Sequence, residues 1–507
     1  MQEFFQKKLH KEGKKEKTLA ENRFLCYNTY DFFERMSEKL HLNLHLFAGK
    51  RHDVDMTEGN IALNLVRFAL PLFVGNLFQQ LYNMVDTWVI GRWGLGAEYA
   101  AVGSVGPIIN ILIGFFMGLS SGAGVVISQY YGAKDEKKVH DAVHTSMLMT
   151  LVLVVLFTII GIATTPAILR LMLQSKVDES EILPHAQTYL IIYFAGVVGL
   201  LLYNMGAGIL RAVGDSERPF YFLAVSAVLN IVLDLLFVIR FHMGVAGVAL
   251  ATVISQGVSA ILTLIVLFRA KSCVRLILRD LKPDFVMLGK IVRIGIPTAL
   301  QLAITSFSNV FVQSYIGNIH PIQFQKEHLG GWTTYSKLDQ FIFLPIQSLA
   351  LASTTFVGQN LGKGDIPRAK RGTLIAYGMA TAVTICVMLP VMIFAPTFAR
   401  IFNTDTLVVE YATTLLRVIT PFYLFSCVNQ VFSGALRGAG NSRAPMINML
   451  VAFVLFRQIY LFFMTNYISN DLIPVAMSYP VGWMLCCVLT LVTYFTFRFD
   501  KAKLSVE

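Results

Sequence analysis

The sequence predicts an all-α polytopic membrane protein, with twelve transmembrane helices in two six-helix lobes that repeat one another in parallel. Three observations predict it. Of 507 residues, 55% are hydrophobic and only 14% charged, where a soluble chain carries about 25% charged residues. The apolar residues gather in unbroken runs of about 20, the length a helix needs because lipid offers the backbone no hydrogen-bond partner. Blocks of sequence also recur in one order about half a chain apart. Disordered, collagen-like, disulfide-stapled and ordinary soluble-enzyme classes are excluded together.

Residues 1–60 read as a cytoplasmic N-terminal extension with 11 basic and 10 acidic side chains. Its start is polar, so no cleavable signal peptide is expected. Phe32, Phe33, Met36 and Leu40 allow a short interfacial helix; a loosely ordered tail is the other reading, and no function is assigned. The first lobe, 61–285, holds six spans: about 61–91, broken by Asp86, then 99–133, 142–169, 182–210, about 219–239, broken by Asp234, and 241–268. The second lobe, 286–497, holds 294–325, 340–362, 372–399, 411–436 with Arg417, 445–467 with Arg457, and 472–497. A cytoplasmic tail, 498–507, follows.

With the N-terminus inside, the cytoplasmic loops and tail carry 21 Lys/Arg and the outer loops six. That imbalance satisfies the positive-inside rule and puts both termini in the cytoplasm. The net charge of +11 is thereby explained without a nucleic-acid partner. Six cysteines, Cys26, Cys273, Cys386, Cys427, Cys486 and Cys487, are scattered without metal-ligand spacing and read as small apolar fillers.

The repeat has three blocks. Val66-Arg67-Phe68-Ala69-Leu70-Pro71, with Asn83 and Ile90-Gly91 beyond it, recurs 226 residues on as Val292-Arg293-Ile294-Gly295-Ile296-Pro297, Asn309 and Ile316-Gly317. Gln129-x-x-Gly132-x-x-Asp135 recurs as Gln359-x-x-Gly362-x-x-Asp365, and Leu210-Arg211-x-x-Gly214-x-Ser216-x-x-Pro219 as Leu436-Arg437-x-x-Gly440-x-Ser442-x-x-Pro445. Six helices per unit, an even number, relate the halves by an axis along the membrane normal. A substrate cavity is expected between them.

Ionisable groups in hydrocarbon cost at least ~2.5 kcal/mol each, so the few present are functional candidates. Asp86 lies on the first span. Asp234 lies on the fifth, four residues after Asn230, so amide and carboxylate share a helix face. A carboxylate withdrawn from water favours its protonated form and a bound cation favours the ionised one, so such a group can exchange a proton or an alkali ion. The plain alternative leaves Asp86 at the water boundary and Asp234 bonded to a neighbouring helix. Lys337 and Asp339 open the eighth span on different faces, and Arg457 sits deeper, lining a cavity or pairing across helices; these three are the cavity candidates. Lys337 and Arg417 suit a snorkelling role.

Pro71 and Pro297 each remove a backbone bond inside a helix, which suits a static kink or a moving hinge. The Leu-Arg-x-x-Gly blocks read as hairpins at helix ends, and Gly114, Gly118 and Gly122 as a close-packing stripe. The nearest nucleotide-binding string, Gly358 to Gly364, has one residue too few between its glycines and no following Ser/Thr. No cofactor is therefore expected, and the energy source is an ion gradient or a partner.

Asn83-Met84-Val85-Asp86-Thr87-Trp88-Val89-Ile90-Gly91, the paired Leu-Arg-x-x-Gly-x-Ser blocks and Gly244-Val245-Ala246-Gly247-Val248-Ala249-Leu250-Ala251-Thr252 resemble the multidrug and toxic compound extrusion (MATE) family over residues 61 to about 497. The closer likeness is to its prokaryotic branch around DNA-damage-inducible protein F. The resemblance implies alternating access and export of cationic amphiphiles in exchange for sodium ions or protons. It also implies a first-lobe polar cluster, matched here by Tyr82, Asp86, Asn204, Asn230, Asp234 and Thr252, with Pro71 as the kinking proline. Asp86, Asn230, Asp234 and Thr252 are the set for a sodium ion, and no other metal is expected. The seventh-helix Glu of another branch is replaced by Thr305. Asp86 and Asp234 have Val312 and Tyr460 as second-half equivalents, so coupling is expected in the first lobe.

The expectation is a plasma-membrane antiporter, not an enzyme, working as a monomer on amphiphilic small molecules amid membrane lipid. The alternatives are a lipid-linked oligosaccharide flippase of the same fold group and an uncoupled receptor or scaffold.

Overall fold

The structure is a computed structural model that describes residues 54–94, 96–173, 179–319 and 324–501. The interfacial helix considered near residues 30–47 and most of the C-terminal tail lie outside the described residues. Among those described, 11 helices are long and apolar enough to cross a bilayer, and a pair bent by 48° supplies a twelfth. In order they are α1 (Ile61–Trp93), α2 (Gly96–Gly132), α3 (Glu136–Leu173), the bent α4 (Glu179–Ala195 and Val197–Ala212), α5 (Glu217–Arg240) and α6 (Gly244–Arg269). The second half supplies α7 (Phe285–Ile316), α8 (Gln325–Gly362), α9 (Ile366–Ile393), α10 (Thr406–Gly438), α11 (Arg443–Ile468) and α12 (Leu472–Thr496).

Local chemistry sets the boundaries. Asn60 caps α1 by accepting from the Leu63 amide, and Asp284 caps α7 by accepting from Val286 and Met287, so the repeat extends to the helix caps. Both Leu-Arg-x-x-Gly blocks are hairpins, with Gly214 at φ +95° and Gly440 at φ +81°, a conformation that penalises any Cβ. Pro71 and Pro297 each lie inside a continuous helix. The outward face of α3 exposes Val152, Val155 and Ile159, as a lipid-facing surface does, while Cys427, Cys486 and Cys487 are buried as apolar fillers.

The two halves are interleaved. Gly118 and Gly122 of α2 sit so close to Ala299 and Gly295 of α7 that an added Cβ would overlap the partner backbone, which is the close packing their spacing predicts. Leu65, Phe68, Ala69 and Leu72 of α1 join a core built from α8, α10 and α12. Reciprocally, Met287, Ile291 and Ile294 of α7 join the core of α2, α3, α4 and α6. Each half thus lends the start of its first helix to the other.

An even number of spans brings the start of α1 and the end of α12 to one face, here termed the terminal face. There Gln129 of α2 donates to the Gly438 carbonyl ending α10 at 2.9 Å, and Gln359 of α8 donates to the Ala212 carbonyl ending α4 at 2.9 Å. A Cβ on Gly132 would strike the Gln359 carbonyl, and one on Gly362 would strike the Gln129 carbonyl. The Gln-x-x-Gly repeat is therefore a symmetric seam that closes this face.

Two expectations change. Residues 54–60, read as the end of the extension, form a packed strap across the seam. Val54 donates to Gly214 of the first half at 3.2 Å. The Met56 amide donates to Gln359 at 3.3 Å, and the Met56 carbonyl accepts from Asn360 at 3.0 Å. The eighth helix begins at Gln325 rather than near 340, so Lys337 and Asp339 lie well inside α8 instead of opening it. The first turns of α8 carry Lys326, Glu327, Lys337 and Asp339, which a charge-free criterion excludes, while Trp332, Tyr335 and Leu338 of the same stretch are buried in the core.

Candidate functional site

In the first half, Asp86 projects from α1, Asn230 and Asp234 from one face of α5, and Thr252 from α6. All are buried, with Asp86 8% exposed and Asp234 0%. The two carboxyl groups are electrostatic neighbours, and Thr252 lies close to Asp86. Among the described residues, neither oxygen of Asp234, nor Oδ1 of Asp86, nor either amide atom of Asn230 has a hydrogen-bond partner. No ion pair to either carboxylate is present among the described residues. Two carboxylates in that position repel strongly unless a proton or cation sits between them. Immediately after Asp234 the helix widens into a π-turn, Leu235–Arg240, a distortion that recurs at functional sites.

Tyr82, Asp86, Asp234 and Thr252 are neighbours, with Asn230 one turn from Asp234 on the same helix. Tyr82 is buried beside Asp86, within reach of Gln79 and of Gln256 on α6. Asn204 behaves differently: its amide donates to the Leu200 carbonyl of its own helix at 2.8 Å, and its backbone carbonyl accepts from Ser120 at 2.7 Å. Sequence reasoning missed Tyr189 and Tyr193, which are buried on α4 and stack with ring centroids 6.3 Å apart. Their electrostatic neighbours include Asp86, Asp234 and Tyr82. Tyrosines inside an apolar run give no signal of their own; the four-residue spacing that puts both on one helix face is the only clue.

The second half has a different set. Val312, equivalent to Asp86, is a buried core residue, and Tyr460, equivalent to Asp234, donates to the Pro474 carbonyl at 3.0 Å. An acid is instead supplied by Asp339 of α8. Its carboxylate accepts from Tyr335 at 3.4 Å and from Tyr423 of α10, and the two hydroxyls lie 3.2 Å apart. Arg457 of α11 is buried between the rings of Phe453 and Tyr479, at 4.8 and 4.3 Å. It donates to Asn309 at 3.1 Å and Ser308 at 3.4 Å, and its Nε has no partner. Tyr479 has both Arg457 and Asp339 as electrostatic neighbours, which joins acid and base through an aromatic wall. Asn309, the repeat partner of Asn83, was visible in the sequence without a role. Lys337 is not part of this group: its ammonium lies over the Phe402 ring at 5.8 Å.

A repeated bundle of spanning helices that withdraws acids and a base from lipid into its interior has the build of a membrane transporter. Comparison with known sequences gives the narrower assignment. The MatE family profile matches twice, over residues 71–236 and 297–462, so the chain belongs to the MatE family of membrane transporters. It is 30% identical over 407 residues to the probable multidrug resistance protein YpnP of Bacillus subtilis, covering 80% of this chain and 88% of that protein. It is 26% identical over 455 residues to the probable multidrug resistance protein NorM of Thermotoga maritima, covering 87% and 94%. A solved MOP superfamily transporter from Pyrococcus furiosus superimposes with a TM-score of 0.82 at 25% identity, covering 90% of this chain and 99% of that one.

Proposed function

We propose that the chain is a sodium- or proton-coupled antiporter that exports cationic or amphiphilic small molecules across the plasma membrane by alternating access, working as a monomer. In this reading the terminal face and both termini are cytoplasmic. The halves 61–285 and 286–497 act as lobes, and the Gln129/Gln359 seam is shut in the state described. External cation binding between Asp86 and Asp234 favours the state that releases substrate outward; substrate binding from the cytoplasm favours return. Each positive charge carried inward gains about 2.3 kcal/mol per 100 mV.

The single observation that carries the reading is the pair of facing, buried carboxyl groups with no protein donor on Asp234. A purely structural pair would be expected to keep a base or an amide on those oxygens. The names of the relatives, multidrug resistance proteins, supply the substrate class. The test is export into everted vesicles by Asp86→Asn. Gradient-driven transport is expected to vanish while the protein remains inserted, and undiminished transport overturns the assignment.

A second reading, the flippase, is favoured by the unpartnered Nε of buried Arg457, which suits an anionic headgroup. One buried cation is little against a pyrophosphate. This reading predicts movement of lipid-linked oligosaccharide with no ion gradient imposed.

A further inference from the structure

We propose that His140 and His144 of α3 and Asp280 of the loop joining the two halves form a binding site for a divalent transition-metal ion, with zinc as the reference ion. The three side chains each present one ligand atom, and these atoms lie within 4.8 Å of one another. His140 Nε2 is 3.2 Å from Asp280 Oδ2. That is close to the edge of a tetrahedron of ligands, about 3.3 Å when each bond to zinc is about 2.0–2.1 Å. The two histidines are four residues apart on one helix, with ring centroids 3.9 Å apart, so both rings face the same way.

The supporting hydrogen bonds already select the required tautomer. His144 Nδ1 lies 2.8 Å from the His140 carbonyl, which can only accept, so Nδ1 carries the hydrogen. Nε2 holds the lone pair and accepts from the Ile277 amide at 2.9 Å. A second ring nitrogen tied to a backbone carbonyl is the usual support of a metal-binding histidine. Coordination would exchange the Ile277 amide for the ion at His144 Nε2. His140 Nε2, which faces Asp280, offers its lone pair to the ion once the ring takes the tautomer with its hydrogen on Nδ1.

The site joins elements that meet through apolar contacts and the Ile277–His144 hydrogen bond. Val274 and Leu276 of the loop are buried in the core that includes Val139, Val143 and Met147 of α3. Metal binding would lock the loop between the repeats onto the first half. This proposal does not depend on the transport reading.

The test is zinc titration by calorimetry into the tag-free, detergent-purified full chain, repeated with cobalt and read by its ligand-field absorption. One equivalent is expected to bind, with affinity at least tenfold weaker in His140→Ala and in Asp280→Ala. A chain with His10, His41, His45 and His52 replaced by Gln is expected to bind as the native chain does. Tryptic cleavage at the exposed Lys271, Arg275 and Arg279 is expected to slow several-fold with zinc in the native chain and the four-histidine variant and not in the two site variants. No zinc binding by the native chain, unchanged binding in both site variants, or loss of binding in the four-histidine variant overturns the proposal.

Discussion

The seam across the terminal face gives the most quantitative prediction. Gln129 and Gln359 are both 0% exposed, and each donates one hydrogen bond across the two halves, to Gly438 and Ala212 respectively. Replacing either by Ala removes a bond of about 1 kcal/mol net, and leaving the buried carbonyl unpaired raises the cost toward about 2 kcal/mol. Gln359→Ala also strips the acceptor from the Met56 amide. The bonds have different acceptors, so to first order their costs add, and comparing the double variant with the two single ones measures the coupling expected of neighbouring sites. The double variant is therefore expected to lose about 2–4 kcal/mol from the closed form of this face, roughly a 30- to 1,000-fold shift in the closed-to-open ratio. Spin labels at Lys137 and Arg371, exposed near the starts of α3 and α9, report it by pulsed electron–electron distance measurement. The native chain should give one short population and the double variant a substantial longer one. A folded double variant with an unchanged distribution would refute the claim that these glutamines hold the face shut.

Two further predictions concern packing and buried charge. Gly118→Val places a branched side chain on the Ala299 backbone and should destabilise the protein by at least 1–3 kcal/mol, seen as lower thermal stability in detergent; Gly257→Ala, where an added Cβ meets nothing within 4 Å, should leave it unchanged. Arg457 forms no ion pair among the described residues, so Arg457→Met, which keeps the length of the stem between Phe453 and Tyr479, should hold or raise the unfolding temperature. If Arg457→Met instead destabilises the protein as strongly as a core deletion would, Arg457 belongs to an energetically coupled network that its hydrogen bonds do not reveal.

What could be read from the sequence followed from how strongly each residue contrasts with its surroundings. Asp86 and Asp234 stand out because an acid in an apolar run is costly, and the structure brings them together. The twelve spans and the repeat were legible for the same reason. Tyr189, Tyr193 and Gln256 were not, since a tyrosine or an amide costs little in an interior and only the fold says which face it takes. The start of α8 was misplaced because Lys326, Glu327, Lys337 and Asp339 interrupt its apolar run, whereas Trp332, Tyr335 and Leu338 between them pack into the protein core. Gln129 and Gln359 were found as repeated letters, but their role needed the opposite half in view. The strap at 54–60 was hidden by its polar composition, which reads as a tail until Gln359 and Asn360 are brought against it.

The central claim is that a cation between Asp86 and Asp234 couples to substrate movement. Transport by the purified protein in proteoliposomes, with sodium and pH gradients imposed one at a time, tests it most directly when the native chain is compared with Asp234→Asn. The account predicts that at least one gradient drives uphill substrate movement in the native chain and that neither does in the variant. Equal uphill transport by both proteins would contradict it.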